Sequence, residues 1–440
     1  MKPQFLISSI GPGNGKTIFA MGLIHALRKR GMKVQPYKCG PEITDTQLLT
    51  LSADNEAVNL DEWITTYTHI QHTYNKYGEK ADACIIEGNG ALFDGYKRMQ
   101  GSSAEIAKLL NVPVVLLVNA RMAGYSIASI IYGFKHFHPQ VKIVGVVFNQ
   151  ITSSAHYSYL KEACFDAGVD CLGYLPYNAE FKLPSKHSII TLTTKRTMGT
   201  QINLIADDIE KNVNINRLLM NCNRNFPCQY TLPYSSDIEA ETVIPTSQQI
   251  KIAIARDPAF NFIYKENIAR LSIYGKISYF SPVYGSDLPE ADLIYLPGGY
   301  PELFARQLHR RHKLKNALKE YAEKGGKILA ECGGMAFLGR SITAKEGGTS
   351  YEMCNILPLD FTINSKLNSG YRKMIYNGVE LRGYEFHYSA TNNAENSLIA
   401  TQATNIKGTN VDLPLYRYKN IIASYGHWYW GDKDILDLWK

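Results

Sequence analysis

Two short stretches combine residue types that can do chemistry. In Ser8-Ser9-Ile10-Gly11-Pro12-Gly13-Asn14-Gly15-Lys16-Thr17, Gly11, Gly13 and Gly15 lead into Lys16 and Thr17. A phosphate binder needs backbone N–H groups turned inward, glycines that permit the turn, and the positive end of a helix. In that arrangement Lys16 reaches the β- and γ-phosphates of a nucleotide and Thr17 sets a hydroxyl on Mg²⁺. The strict phosphate-loop pattern has Gly where Ile10 stands, so this loop is a variant. The second stretch is Lys327-Ile328-Leu329-Ala330-Glu331-Cys332-Gly333-Gly334-Met335. It reads as a strand, a tight turn and a helix start, the setting that exposes a nucleophile and favours its thiolate.

Each stretch needs partners. Mg²⁺ takes oxygen ligands and few protein carboxylates. Asp45 and Glu87 both follow strands, where open α/β sheets bind ligands. A loop carboxylate in water is the plain alternative for either one taken alone. A thiol needs a base, and His387 and His427 are the candidates, since sequence distance is no obstacle once the chain folds. A developing oxyanion needs backbone N–H donors. Gly333 offers one, and Gly299 in Leu296-Pro297-Gly298-Gly299-Tyr300-Pro301-Glu302 offers a second.

The chain is long enough to build the elements that would hold these groups. At about 150 residues per domain, 440 residues make two or three domains. Apolar residues at 45% and charged residues at 20% exclude a disordered polyelectrolyte. Lys and Arg total 47 against 40 Asp and Glu, a net +7 spread along the chain. That suits anionic small ligands and is too diffuse to argue for nucleic acid. No apolar run is long enough for a membrane span, and no signal peptide precedes the first strand. The eight cysteines are scattered without CxxC pairs, which points to reduced thiols and a cytoplasmic setting.

The first part alternates buried-type strands (Phe5–Ser9, Val34–Tyr37, Ala83–Ile86, Val112–Val118, Ile143–Phe148) with helical stretches, including Ile18–Arg30. That pattern predicts a parallel sheet wound on both faces, ending near Leu172–Pro176. Residues 212–249, rich in Asn, Pro and Tyr and without periodicity, read as a linker. A second alternating region follows. Its strands are Lys251–Ala255, Lys276–Phe280, Asp292–Leu296 and Lys327–Ala330, with a helix over Glu302–Tyr321 and a β-rich end from Gly383 to Tyr425. The expected division is therefore 1–211, linker 212–249, and 250–440.

The glycine spacing of the loop resembles that of dethiobiotin synthetase and MinD-type ATPases. Further motifs run nearly the whole chain: Lys38…Gly40-Pro41…Asp45, Glu87-Gly88-Asn89-Gly90, Gly145-Val146-Val147-Phe148-Asn149 and Leu183-Pro184-Ser185-Lys186-His187. In the second half stand Ala255-Arg256-Asp257-Pro258-Ala259-Phe260-Asn261-Phe262-Ile263-Tyr264, Ala330-Glu331-Cys332-Gly333-Gly334, Glu385-Phe386-His387-Tyr388-Ser389 and Ala423-Ser424-Tyr425-Gly426-His427. In this order they resemble the cobyrinate/hydrogenobyrinate a,c-diamide synthase family, a class I glutamine amidotransferase fused to a dethiobiotin synthetase-like ATPase.

The resemblance implies an α/β fold of two domains: an N-terminal P-loop NTPase-like doubly wound sheet and a C-terminal class I glutaminase-like domain. It implies ATP and Mg²⁺, L-glutamine, and cobyrinic acid or a related tetrapyrrole. Its activity would be amidation of the a and c acetates through acyl phosphates. By position it makes Cys332 the nucleophile, His427 its base and Asn149 a nucleotide contact. The corrin is expected in a cleft between the halves, with Lys186, His187 and Arg256 as its basic contacts. Three positions depart from the family pattern: Glu42 and Asn119 stand where Asp is usual, and Lys186 where Arg is usual. Tyr429 replaces the acid of an ordinary triad, so a Cys–His dyad is expected. Ni-sirohydrochlorin a,c-diamide synthase shares these motifs. Cobyric acid synthase is disfavoured by the Asp257…Phe260…Phe262…Tyr264 pattern. A different class of reading is an ATPase switch with an inactive glutaminase-like module. The residues leave the oligomeric state open, a homo-oligomer included.

Overall fold

The computed structural model describes all residues except 182–191, 230–248, 286, 346 and 393–397. The chain divides into two compact units, Met1–Ser235 and Ser236–Lys440.

The strands of the first unit are β1 (Lys2–Ser9), β2 (Val34–Cys39), β3 (Val58–Leu60), β4 (Ala83–Glu87), β5 (Val114–Asn119), β6 (Ile143–Ile151) and β7 (Cys171–Pro176), with a short β8 (Asn223–Arg224). The first seven form a sheet in the order β3-β2-β4-β1-β5-β6-β7. Each of its pairings is parallel, and β8 runs antiparallel to the start of β1. Such a sheet is covered on both faces, so its strands are apolar throughout rather than alternating. In β1, Leu6 faces one core layer while Phe5 and Ile7 face the other. The loop after β1 opens at the centre of the sheet, between the ends of β4 and β5.

Helix α1 (Lys16–Lys29) follows that loop and buries Phe19, Ala20, Leu23, Ile24 and Leu27. Arg28 and Lys29 lie in its last turn, where cations offset the exposed carbonyls. A helix over Leu192–Asn212, beyond the expected end of the pattern, packs on α1 through Ile202, Ile205 and Ile209. Ion pairs Lys29–Asp207 and Arg30–Glu210 flank that contact at 2.6 Å each. The helix Ile215–Asn221 sends Ile215 and Leu218 into the same core, so packed structure of the first unit continues past position 212.

The second unit contains β9 (Ile250–Ala255), β10 (Gly275–Phe280), β11 (Leu293–Leu296), β12 (Lys327–Glu331), β13 (Ser341–Thr343), β14 (Ser350–Glu352), β15 (Asp360–Tyr376), β16 (Val379–Asn392), β17 (Ile399–Asn405), β18 (Asn410–Tyr418), β19 (Ile421–Ser424) and β20 (Gly426–Tyr429). Its parallel part is ordered β10-β9-β11-β12-β19. Antiparallel strands extend it, and β16 pairs with both β15 and β20. The expectation of a doubly wound α/β unit followed by an α/β unit with a β-rich end therefore holds. The helix expected over Glu302–Tyr321 is broken. A 3₁₀ turn (Pro301–Phe304) and a short helix (Ala305–His309) precede the helix His312–Glu323. The break falls at Arg310 and Arg311, whose N–H groups bond back in tight turns to Gln307 and Leu308.

Among the described residues no helix is long and apolar enough to cross a membrane, and the eight cysteines are free.

Candidate functional site

The loop of the first unit turns on Gly15, whose φ of 90° is left-handed and open to glycine at little cost. A Cβ there would fall 2.2 Å from the Asn149 amide nitrogen. Asn149 Nδ2 donates to the Asn14 carbonyl at 2.8 Å. Asn14 Oδ1 accepts from the Asn119 backbone N–H at 2.9 Å. Asn149 and Asn119, at the ends of β6 and β5, thus brace the loop from neighbouring strands. The Asn119 contact uses only its backbone, so the departure from Asp leaves it intact.

Lys16 Nζ donates to the Gly90 carbonyl at 2.6 Å and to Ser9 Oγ at 3.0 Å. Burial and the nearby Lys38 ammonium lower its pKa. Thr17 Oγ1 donates to Glu87 Oε1 at 2.6 Å. Lys38 lies between two carboxylates, 2.9 Å from Asp45 and 3.1 Å from Glu87. Burial opposes its charge, but Glu87 and Asp45 hold its pKa well above the ordinary lysine value. Lys38 and Glu87 are direct register partners across β2 and β4, which is why they meet. Glu87 Oε2 is buried without a partner, and burial raises that carboxyl's pKa.

An orphaned carboxylate oxygen beside a hydroxyl and a second carboxylate is a hard-oxygen donor set that fits Mg²⁺. Among the described residues no three His, Cys, Asp or Glu side chains converge to hold a metal alone.

In the second unit, Cys332 follows β12 with φ 43° and ψ −103°. A non-glycine residue so placed stores about 1–3 kcal/mol of strain. The turn is held from both sides. The Cys332 N–H donates to the Ser424 carbonyl at 2.7 Å, and its own carbonyl accepts from Ala336. The next residue has no room for a side chain: a Cβ on Gly333 would lie 3.0–3.1 Å from the Gly299 backbone and 2.7 Å from Pro301. The two glycines expected at the oxyanion position are therefore adjacent. The Gly333 N–H also bonds toward the Cys332 sulfur, which favours thiolate. Burial outweighs it and, with the Glu302 charge, pushes the thiol up.

His427 sits on β20, buried beside Gly298 and edge-on to Phe262 at 5.5 Å. Neither ring nitrogen makes a well-formed hydrogen bond. Burial depresses its pKa to about 4, so the ring is neutral at pH 7. The Phe386 carbonyl lies 4.0 Å from Cys332 Sγ and also favours the charged form of His427, so both groups border the same peptide. His387 differs. Its Nδ1 is 2.8 Å from the Ser389 carbonyl, its Nε2 2.8 Å from Glu385, and its ring stacks on Tyr425 at 3.7 Å. Glu385 in turn pairs with Arg372 at 2.6 Å. His387 lines the cavity beside Cys332, but both of its nitrogens are engaged.

Sequence reasoning missed two carboxylates here, Glu331 buried and Glu302 half-buried. Glu331 Oε1 accepts from the Trp428 N–H at 3.0 Å and Oε2 from the Tyr295 hydroxyl at 2.8 Å. It precedes Cys332, and Trp428 follows His427, so this side chain ties the two strand ends together. Glu302 lines the Cys332 cavity with Gly299, Tyr300, Gly333, His387 and Tyr388. Of the remaining candidates, Arg256 lies over the Tyr279 ring at 5.3 Å. Lys186 and His187 fall outside the described residues.

Two family models match. The CobQ/CobB/MinD/ParA nucleotide binding domain matches residues 5–190, and the CobB/CobQ-like glutamine amidotransferase domain matches residues 251–435. A cobyrinate a,c-diamide synthase of Dehalococcoides mccartyi strain 195 is 36% identical, the match covering 98% of this chain and 95% of the relative. That of strain CBDB1 is 34% identical over the same shares. That of Saccharolobus solfataricus is 30% identical over 96% of this chain and 97% of the relative. With both halves matched in order and the full length aligned, the chain belongs to the cobyrinate a,c-diamide synthase family.

Proposed function

We propose that the chain converts the a and c acetate carboxylates of cobyrinic acid to amides, using ATP for activation and glutamine as nitrogen source. The synthetase half is assigned to residues 1–211 and the glutaminase half to 250–440, with the connection within 212–249, beyond the Ile215–Asn221 helix and β8 that still pack on the first unit. A carboxylate resists attack by ammonia until it is phosphorylated, and the acyl phosphate then loses phosphate to ammonia.

In the synthetase half, Gly11, Gly13 and Gly15 shape a cradle for the nucleotide phosphates, and Lys16 neutralises charge on them. Asn149 keeps the cradle in shape. Mg²⁺, when bound, supplies further neutralisation at the phosphates, and Thr17, Glu87 and Asp45 are the residues that would hold it. Lys186, His187 and Arg256 are assigned to the corrin carboxylates.

In the glutaminase half, Cys332 Sγ attacks the carbamoyl carbon of glutamine while its proton passes to His427. The Gly299 and Gly333 N–H groups receive the oxyanion. His427 returns the proton to the departing ammonia, and water then hydrolyses the thioester. His427 acts without a triad acid, since its ring already has unengaged nitrogens and a strand fixed through Glu331.

The observation that carries this reading is the strained Cys332 turn packed against Gly299, in a chain that also holds Lys16, Thr17 and Glu87 together. The test is glutamine-dependent ADP formation with a panel of cobyrinate, hydrogenobyrinate and Ni-sirohydrochlorin, with products identified by mass. Diamide from cobyrinate is expected. Diamide from Ni-sirohydrochlorin alone would reassign the substrate, and no amide from any of them would overturn the reading.

A further inference from the structure

We infer that Glu302, on the wall of the cavity beside Cys332, binds the α-ammonium group of glutamine. The inference rests on the glutaminase reading above and adds the recognition of its substrate.

The cavity beside Cys332 receives three kinds of charged or titratable group. His387 is committed to Glu385 and the Ser389 carbonyl, and Glu385 to Arg372. Tyr300 and Tyr388 lie along the wall. Glu302 is the third, at the start of the 3₁₀ turn that follows Gly299. It makes no ion pair among the described residues, and the hydrogen bond it receives comes from its own backbone N–H. A carboxylate removed from water without a counter-charge is costly. Burial accordingly pushes Glu302 up to about 7.

Glu302 is also harmful where it stands. Its charge adds to burial in keeping the Cys332 thiol protonated, and it acts in the same sense on Tyr300. His427, depressed to about 4, is a poor acceptor for that proton. The resting pair is therefore thiol and neutral imidazole. Glutamine carries an ammonium group at neutral pH, separated by three carbons from the carbamoyl group that Sγ must reach. An ammonium beside Glu302 satisfies the carboxylate and removes its field at Sγ, the lesser of the two causes that hold the thiol protonated, while burial remains. The S–H bond then breaks, its proton moves to His427, and the new C–S bond forms on the carbamoyl carbon. An amide without the ammonium leaves Glu302 uncompensated, so it gains neither that binding nor the removal of that field.

The experiment compares L-glutamine with 4-carbamoylbutanoate, which keeps the carbamoyl and carboxylate groups and lacks the ammonium. Ammonia release is measured on the intact chain and on Glu302→Gln. Alkylation of Cys332 by iodoacetamide is followed separately, with no substrate present. The wild type should prefer glutamine in kcat/KM. Glu302→Gln should lower kcat/KM for glutamine by about 50-fold or more, the usual scale for losing one partner of a buried charge pair. It should leave 4-carbamoylbutanoate unchanged or improved. Cys332 should be alkylated several-fold faster in the variant, an effect that general loosening of the fold would not couple to a loss on glutamine alone. Equal losses on both substrates, an unchanged glutamine kcat/KM or slower alkylation would overturn the inference. If the variant does not fold, the wild type decides: equal kcat/KM for the two substrates overturns the inference and leaves the glutaminase reading standing. A wild type that hydrolyses neither substrate overturns both.

Discussion

In the first unit Lys38 meets Asp45 and Glu87 at 2.9 and 3.1 Å, and Thr17 closes on the same Glu87 oxygen. In the second, Cys332 and His427 are buried as neutral groups, and the strain is in the backbone of Cys332 itself. The first site is a set of charges balanced against each other before any ligand arrives. In the second, the two groups proposed as nucleophile and base are both uncharged at rest. This difference follows the chemistry each must do. Phosphoryl transfer depends on positioning and on charge neutralisation, which fixed ions supply at once. A thiolate held permanently in an accessible turn would be exposed to oxidation and stray electrophiles, and a nucleophile buried as a thiol, as Cys332 is, is protected.

The largest expected effect separates the two halves outright. Lys16→Ala should abolish amidation with either glutamine or added ammonium salt, a loss of about 10³-fold or more if Lys16 neutralises the transferring phosphoryl group. Cys332→Ala should abolish only the glutamine-dependent reaction and spare the ammonium-dependent one. His427→Ala should match it, because the members of a dyad do not add. His387→Ala should retain measurable glutaminase activity, since both of its nitrogens are spent on Ser389 and Glu385. An essential His387 with a dispensable His427 would reverse the base assignment. Loss of ammonium-dependent amidation in Cys332→Ala would break the division of labour itself.

A second contrast concerns stability. Lys38→Met removes the bridge between Asp45 and Glu87 and leaves two facing carboxylates, one of them fully buried. Breaking a buried pair in this way typically costs about 3–5 kcal/mol. The thermal midpoint of the variant should fall in chelated buffer and recover in part when Mg²⁺ is added, because the cation replaces the lost charge. Cys332→Ala removes no charge at neutral pH and should leave the midpoint nearly unchanged. A Lys38→Met chain insensitive to Mg²⁺ would argue against a metal held by Glu87 and Asp45.

How much of this was legible in the sequence depends on whether a residue acts through a local pattern. The Gly-rich loop and Cys332-Gly333-Gly334 are local: glycine spacing, strand ends and helix starts are contiguous, and the structure has the turns where the pattern puts them. The Leu192–Asn212 helix is also written locally, with Met198, Ile202, Ile205 and Ile209 on one stripe, but it lies beyond the last strand of the alternating pattern, which therefore does not call for it. Lys38 and Glu331 are of another kind. Each is a charged residue near the end of a largely buried strand, a signal of a buried partner that does not name it. The partners, Glu87 across a strand pair and Trp428 on a distant strand, are set by register and topology. The unengaged nitrogens of His427 and the occupied ones of His387 likewise emerge only from packing.

The smallest effect tests Glu331, where the two designs meet, because it is a buried carboxylate within the neutral site. Burial pushes it up to about 8, even with Trp428 and Tyr295 donating to it. The folded state then binds more protons than the unfolded chain between about 4.5 and 8, so Glu331 makes stability fall as pH rises through that window. His427, depressed to about 4, does the opposite: the unfolded chain binds more protons between about 4 and 6.5, and stability rises with pH there. The two slopes oppose each other below pH 6.5. Above it, Glu331 acts without that opposition. From pH 6.5 to 8 its share of the decline is about 1–2 kcal/mol. Glu331→Gln keeps an acceptor for the Trp428 N–H and cannot ionise. Its amide nitrogen can face the Tyr295 hydroxyl once that hydroxyl rotates to accept. The variant should therefore keep glutaminase activity and show a flatter fall in unfolding free energy from pH 6.5 to 8. Glu331→Leu should instead lower glutamine-dependent activity while sparing the ammonium reaction, because the side-chain bond from Glu331 to the Trp428 N–H, next to His427, is then lost. An unchanged pH slope in Glu331→Gln would mean that the carboxylate is already compensated, and the second site would then resemble the first more closely than its geometry indicates.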